Sequence, residues 1–185
     1  MDLTQFPPPP YLRAGALAVR PFCAGDLEVV AEAATDPHIP LITKVPVPYT
    51  QAAGREFIGR QQMRLRTDLG YSLAIAYAES DRAIGQIGLW LRNLDKGRAS
   101  IGYWVVPSAR GSGVARQALR LLAGWALDVL QVPRLELYVE PWNLASIRTA
   151  EGAGFRREGL MRSWEQVAGQ RRDMVMFSLL PADVR

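Results

Sequence analysis

At Pro107 the hydrophobic pattern of the chain changes its period, and that change restricts the folds open to it. Upstream, three apolar runs, Tyr71 to Ala78, Ala83 to Leu91 and Ala99 to Val106, are separated by polar turns at Glu79-Ser80-Asp81 and Asn93 to Gly97. They read as an antiparallel meander. Downstream, Val114, Ala118, Leu121, Leu122, Trp125 and Val129 recur at helical spacing. This predicts a helix from about Gly111 to Leu130 with those residues on its inner face.

The flanking segments extend the mixture. Leu17 to Phe22 reads as a first strand, and Asp26 is placed to cap a helix through Leu27, Val30 and Ala31 to about Thr35. Residues Asp36 to Pro48 contain four prolines, which break regular structure and mark a candidate substrate loop. Thr50 then caps a helix with Phe57, Ile58 and Leu65 inward and Arg55, Arg60, Arg64 and Arg66 outward. Leu135, Leu137 and Val139 alternate with Glu136, Tyr138 and Glu140 as a strand. A short helix follows from Asn143, with final strands near Phe155 and from Met174 to Leu179. The order β-α-α-β-β-β-α-β-α-β-β, without an internal repeat, predicts an α/β domain with a mixed sheet.

Length and composition narrow the class. At 185 residues with 49% hydrophobic side chains the chain fits one packed domain, expected over 14–185. The run Pro7 to Pro10 makes residues 1–13 an extended leader. A net charge of +4, carried by scattered arginines with lysine only at Lys44 and Lys96, argues against a nucleic-acid binder. A lone cysteine, Cys23, and a lone histidine, His38, exclude a disulfide framework, a His-based triad and a multi-His or multi-Cys metal site. No stretch nears the ~18 apolar residues of a membrane span, and a basic n-region with an apolar core is missing at Met1-Asp2, so a cytoplasmic protein is expected.

The segment Val105 to Ala115 runs from an apolar strand through a small-residue turn into the strongest helix. Unpaired N–H groups and the positive end of the macrodipole at a helix start suit a diphosphate, and a glycine turn lets phosphate oxygens approach the backbone. Arg110 would add charge at the rim. A bare strand-to-helix turn is the other reading of the same residues. The dinucleotide pattern Gly-x-Gly-x-x-Gly is incomplete, and a Gly-Lys-Ser/Thr continuation is missing. Downstream, Asn143-Leu-Ala-Ser146 can present an amide and a hydroxyl beyond a strand end, or simply cap a helix.

Taken together, these residues resemble the GNAT superfamily of acyl-CoA-dependent N-acetyltransferases, whose Arg/Gln-x-x-Gly-x-Gly/Ala signature is matched by Arg110-Gly-Ser-Gly113-Val-Ala115. Ile101-Gly-Tyr-Trp-Val105, Asn143-x-x-Ser146, Gly154-Phe155-x-x-Glu158-Gly159 and Asp173 look like its RimJ/RimL branch, which acetylates N-terminal amines of ribosomal proteins. The resemblance implies an α/β GNAT-type fold with a mixed, mostly antiparallel, splayed central sheet flanked by helices. It implies acetyl-CoA as cosubstrate and no metal. The pantetheine would lie between the strands around Trp104, Val105 and Val106 and around Glu136 to Glu140. The diphosphate would meet Arg110, Gly111, Ser112, Gly113, Val114 and Ala115.

The resemblance further implies direct attack by an amine in a ternary complex. Ser146 would protonate or hydrogen-bond the leaving thiolate, Glu165 would act as base, and Asn143 would hold the pantetheine or a water. A backbone N–H near Val105, freed by a strand bulge, would be the oxyanion donor. Ser100 stands where many relatives carry a carboxylate, and Trp142 where small or acidic residues are common; packing is the favoured role for Trp142. His38 is expected in a surface or loop-stabilising role. Glu140 is expected to be structural, with reach to the acceptor ammonium as its second reading. The arginines Arg156, Arg157, Arg162, Arg171 and Arg172 make the last hairpin a basic, solvated face. The expected acceptor is a protein N-terminal amine, with a small-molecule amine as alternative and a non-catalytic CoA-binding regulatory module as the alternative of another class. A homodimer through Asp36 to Pro48 or the last strands fits, as does contact with nucleic acid only through a ribosomal substrate; no membrane partner is expected.

Overall fold

The computed structural model describes residues 6–64, 67 and 70–184. Its sheet has eight strands: β1 (Leu12–Ala14), β2 (Leu17–Pro21), β3 (Gly70–Tyr77), β4 (Ala83–Trp90), β5 (Ala99–Val105), β6 (Leu135–Val139), β7 (Arg156–Val167) and β8 (Gln170–Leu179). The helices are α1 (Leu27–Thr35), α2 (Ile39–Ile42), α3 (Gln51–Gln62), α4 (Val114–Asp128) and α5 (Leu144–Gly152). The strands lie in the order β1-β2-β3-β4-β5-β6-β8-β7. Every neighbouring pair is antiparallel except β5 and β6, so the sheet is mixed, as expected.

Two adjacent residues of β3 show how the layers form. The ring of Tyr71 packs edge-on against Trp125 of α4, with centroids 4.9 Å apart. The hydroxyl of Ser72 donates to Gln61 Oε1 of α3 at 3.0 Å. Successive strand residues point to opposite faces, so α4 and α3 cover opposite sides of the sheet. Gln86 joins the Ser72 and Gln61 cluster and accepts from the indole N–H of Trp104 at 2.8 Å, which fixes that indole on the α3 side.

Several local expectations shift. The N-terminal arm is more than an extended lead-in at its end, because Leu12–Ala14 pairs with β2. Earlier in the arm, Phe6 packs against the core and Tyr71 donates to the Pro7 carbonyl at 2.9 Å. The proline-broken stretch holds one short helix, α2, with Pro40 at its start. Asp26 precedes α1 without capping it through its side chain. Its carboxylate is taken by the buried guanidinium of Arg20 at 2.8 and 2.9 Å and by the Cys23 N–H at 2.8 Å. Thr50 does cap α3, accepting from Ala53 N–H, but that helix ends at Gln62; Leu65 and Arg66 lie outside the described residues. In α4 the buried face comprises Ala118, Leu119, Leu122, Ala123, Ala126 and Leu127. Val129, expected inward, is the C-cap of the helix and is 56% exposed.

Candidate active site

The parallel contact between β5 and β6 is short. Ala99 pairs with Leu135 and Ser100 with Glu136, and beyond them the strands separate. Ala99 N–H donates across the junction to Arg134 O, whereas Val106 N–H donates the other way, to Ile84 O. Backbone groups alternate sides along a strand. Ile101 N–H closes the last rung at Ser100 and Glu136, and past it the N–H and C=O groups of Tyr103 and the N–H of Val105 face the opening. The β4–β5 register runs without a shift from Gly85 opposite Val105 to Trp90 opposite Ser100. The bulge expected near Val105 is thus absent, and the divergence of β5 from β6 frees its amide instead.

At one end of the opening lies the glycine turn. Gly111 and Gly113 have φ of 83° and 78°, the left-handed region that favours glycine. Gly113 is the N-cap of α4, and the bond from Gln117 N–H to Gly113 O leaves the N–H groups of Val114, Ala115 and Arg116 ahead of the helical ladder. A Cβ on Gly111 would meet nothing within 4 Å, so the space over the turn is open. Ser112 is exposed and turns its hydroxyl onto Ala109 O. Val105 and Val106 are buried core residues. An open turn, free amides and a helix start fit an anionic diphosphate.

Arg110 is half exposed but already engaged. Its Nε donates to Val105 O at 2.9 Å and an Nη donates to Asp36 at 2.7 Å. Asp36 is buried and also accepts from the N–H groups of His38 and Ile39. Burial disfavours its charged form, yet these backbone bonds and Arg110 prevail and hold it below the usual carboxylate range. The sequence gives no sign of this pairing, whose partners are 74 residues apart.

At the other end, Asn143 caps α5 by accepting from Ser146 N–H at 3.1 Å. The Ser146 hydroxyl meets Tyr103 OH at 2.9 Å. Burial pushes the Tyr103 phenol upward, against the bond to Ser146, so it stays protonated. Tyr103 pairs with Ile87, on the face opposite Gln86 and Trp104, which puts Tyr103 and Ser146 together on the α4 and α5 side.

The opposite side of the opening carries carboxylates. Glu140, just past β6, is 8% exposed and accepts from the Trp142 indole N–H at 2.9 Å. Arg172 Nε lies 4.0 Å from that same oxygen, His38 Nε2 lies 3.8 Å from the other, and His38 packs edge-on against Trp142. Glu165 is exposed on β7 opposite Arg172, after a bulge of Arg162, Ser163 and Trp164. No hydrogen bond joins it to Ser146 among the described residues. Sequence reading missed Tyr103 as the partner of Ser146, for which strand alternation was the available signal, while Glu140, expected in a structural role, is buried with Trp142 on one oxygen.

Among the described residues no three metal-binding side chains converge, and no helix is long and apolar enough to cross a membrane. The family model for the acetyltransferase (GNAT) domain matches residues 16–156. The uncharacterized N-acetyltransferase p20 of Bacillus licheniformis is 30% identical over 169 residues, covering 89% of this chain and 92% of that protein. A GNAT-family acetyltransferase from Bacillus anthracis superposes with a TM-score of 0.79 at 19% identity, over 95% of this chain and all of that one. Mycobacterium smegmatis RimJ, solved in complex with CoA-disulfide, gives a TM-score of 0.75 at 21% identity, over 95% of this chain and 88% of that one. With the family match spanning most of the sheet and the opened β5–β6 pair, the chain belongs to the GNAT family of acetyltransferases.

Proposed function

We propose that the protein transfers an acetyl group from acetyl-CoA to a primary amine, with the N-terminal amine of a protein as acceptor. The observation that carries this reading is the gap between β5 and β6, where the backbone groups of Tyr103 and the N–H of Val105 face the opening beside an anion-ready helix start. Free strand edges suit the amide-bearing arm of coenzyme A, as they would suit a peptide. The turn from Gly111 to Ala115 takes the diphosphate, and Arg110 adds its charge when it turns from Asp36.

Within that frame Ser146, aligned by Tyr103, donates to the thiolate as the C–S bond breaks. The N–H of Val105 supports the negative charge on the carbonyl oxygen. Glu165, on the face opposite Ser146, takes the amine proton, and Asn143 fixes the α5 turn that presents Ser146. The protein-terminus reading draws support from the open, aromatic acceptor side, where Trp142 and Trp164 are 60% and 46% exposed. It also draws on the RimJ name of a structural neighbour, which describes that protein.

The experiment is thermal unfolding with and without acetyl-CoA, followed by thiol release with amine acceptors. Ligand at about a hundred times its Kd adds roughly 2.7 kcal/mol to the native state. For a chain of this size that raises Tm by roughly 5 to 11 °C. Thiol release with alanine-tripeptide, and none with its N-acetylated form, supports an N-terminal acceptor; release with putrescine alone moves the acceptor to small amines.

A further inference from the structure

Glu140 is a buried carboxylate that the acetyl-transfer steps leave unused. It sits where β6 ends, on the side of the sheet that carries Tyr138, and its two oxygens are treated differently. Oε2 accepts from the Trp142 indole. Oε1 accepts no hydrogen bond among the described residues and has His38 Nε2 at 3.8 Å. A largely buried carboxylate with one oxygen unbonded keeps acceptor capacity for a cation or donor that reaches it.

The surroundings define what would complete it. Arg172 Nε lies 4.0 Å from Glu140 Oε2, and Glu165 is the strand partner of Arg172 across the last hairpin. Trp142 closes one side of Glu140. Trp164, held by the bulge of β7, stacks on Tyr138 with centroids 5.8 Å apart and extends the aromatic wall along the same face. A compact cation on an aliphatic or peptide chain suits such a place, since its charge meets the carboxylate and its chain lies on the rings.

Resting on the acetyltransferase reading above, we propose that Glu140 is the docking carboxylate for the acceptor's ammonium group, with Trp142 and Trp164 flanking the chain that carries it. Glu140 is then a positioning residue. It holds the protonated acceptor at the opening, and the proton leaves to Glu165 as the nitrogen turns toward the acyl carbon. His38 closes the far side of the site and links it to the loop whose Asp36 pairs with Arg110.

Steady-state thiol release with alanine-tripeptide and with putrescine tests this in the wild type and in Glu140→Gln, Glu140→Asp and Glu165→Gln, each checked for folding by melting. Loss of a hydrogen bond to a charged group corresponds to an increase in acceptor KM of roughly tenfold to a hundredfold in Glu140→Gln. The KM for acetyl-CoA and the pH profile of kcat should stay at wild-type values, and Glu140→Asp should recover part of the loss. Glu165→Gln should instead lower kcat and change its pH profile. An unchanged acceptor KM in a folded Glu140→Gln protein overturns the docking role and leaves the acetyltransferase reading standing. If Glu140→Gln does not fold, Glu140→Asp decides, with a wild-type KM counting against the proposal. A wild-type protein that melts no higher with acetyl-CoA and releases no thiol with either amine overturns both.

Discussion

The hydroxyl groups of Tyr103 and Ser146 lie 2.9 Å apart, tying the middle of β5 to the first turn of α5 beside the opened strands. Because the cap bond of α5 uses the backbone N–H of Ser146, its side chain is free for chemistry. Ser146→Ala should therefore leave the helix capped and the melting temperature close to wild type. Loss of a proton donor should lower kcat by about a hundredfold or more. Tyr103→Phe should cost about 1 kcal/mol of stability and reduce kcat less, since Ser146 keeps its hydroxyl. Steady-state kinetics and thermal unfolding check both, and an undiminished kcat in Ser146→Ala removes Ser146 from the mechanism.

Gly113 makes the second prediction. Its φ of 78° sits at the N-cap of α4, so Gly113→Val forces a β-branched side chain into the left-handed region. The expected cost is roughly 1 to 3 kcal/mol. The larger effect should be loss of the acetyl-CoA-dependent rise in Tm, because the new side chain stands beside the amides that take the diphosphate. Gly124→Ala is the contrast: it lies inside α4, where a Cβ meets nothing within 4 Å. That change should raise stability by roughly 0.5 to 1 kcal/mol and keep the acetyl-CoA response. Equal acetyl-CoA shifts in the two variants would remove the glycine turn from cofactor binding.

What could be read in the sequence was local chemistry. Thr50 reaches an N–H three residues on, and Asn143 does the same with Ser146, so both caps are visible as residue pairs. The meander of β3 to β5 shows because each strand is an apolar run bounded by polar turns. Asp26 misled for a tertiary reason: it has a capping residue's position and type, but Arg20 holds both of its oxygens. Val129 continued the apolar period after the helix had ended. The site was partly legible, since Arg110 to Ala115 and Ser146 lie in short motifs. The opening itself depends on a parallel contact of two positions between segments separated by a whole helix, and no window of sequence contains it.

Arg110 ties the glycine turn to the loop before α2, which gives the third prediction. Arg110→Ala leaves the buried Asp36 carboxylate with its two backbone donors and no guanidinium. The expected loss is about 1 to 3 kcal/mol. Arg110→Lys should recover little, because one ammonium cannot serve Val105 O and Asp36 in the two directions of the guanidinium. Adding Asp36→Asn to Arg110→Ala should return part of the stability, as the amide oxygen can still accept from His38 and Ile39 N–H without a buried charge. Strict additivity in denaturant unfolding of the double mutant would mean that the pair does not couple.

Glu158 supplies the acid response. Bonds from Arg134 and Ser178 outweigh desolvation and lower its carboxyl from 4.5 to about 2. A carboxylate with a depressed folded value stabilises the fold at pH above its unfolded value. That contribution fades as pH falls from about 4.5 toward about 2. Glu158 is 41% exposed, so solvent screens the pair and the effect should weaken further in high salt. Urea unfolding from pH 6 to pH 2.5 should show a decline in the wild type over this interval. Glu158→Gln should flatten that part of the curve while lowering stability at pH 6. Parallel curves for the two proteins would show that the Arg134–Glu158 pair at the β7 edge gives the fold no acid-sensitive support.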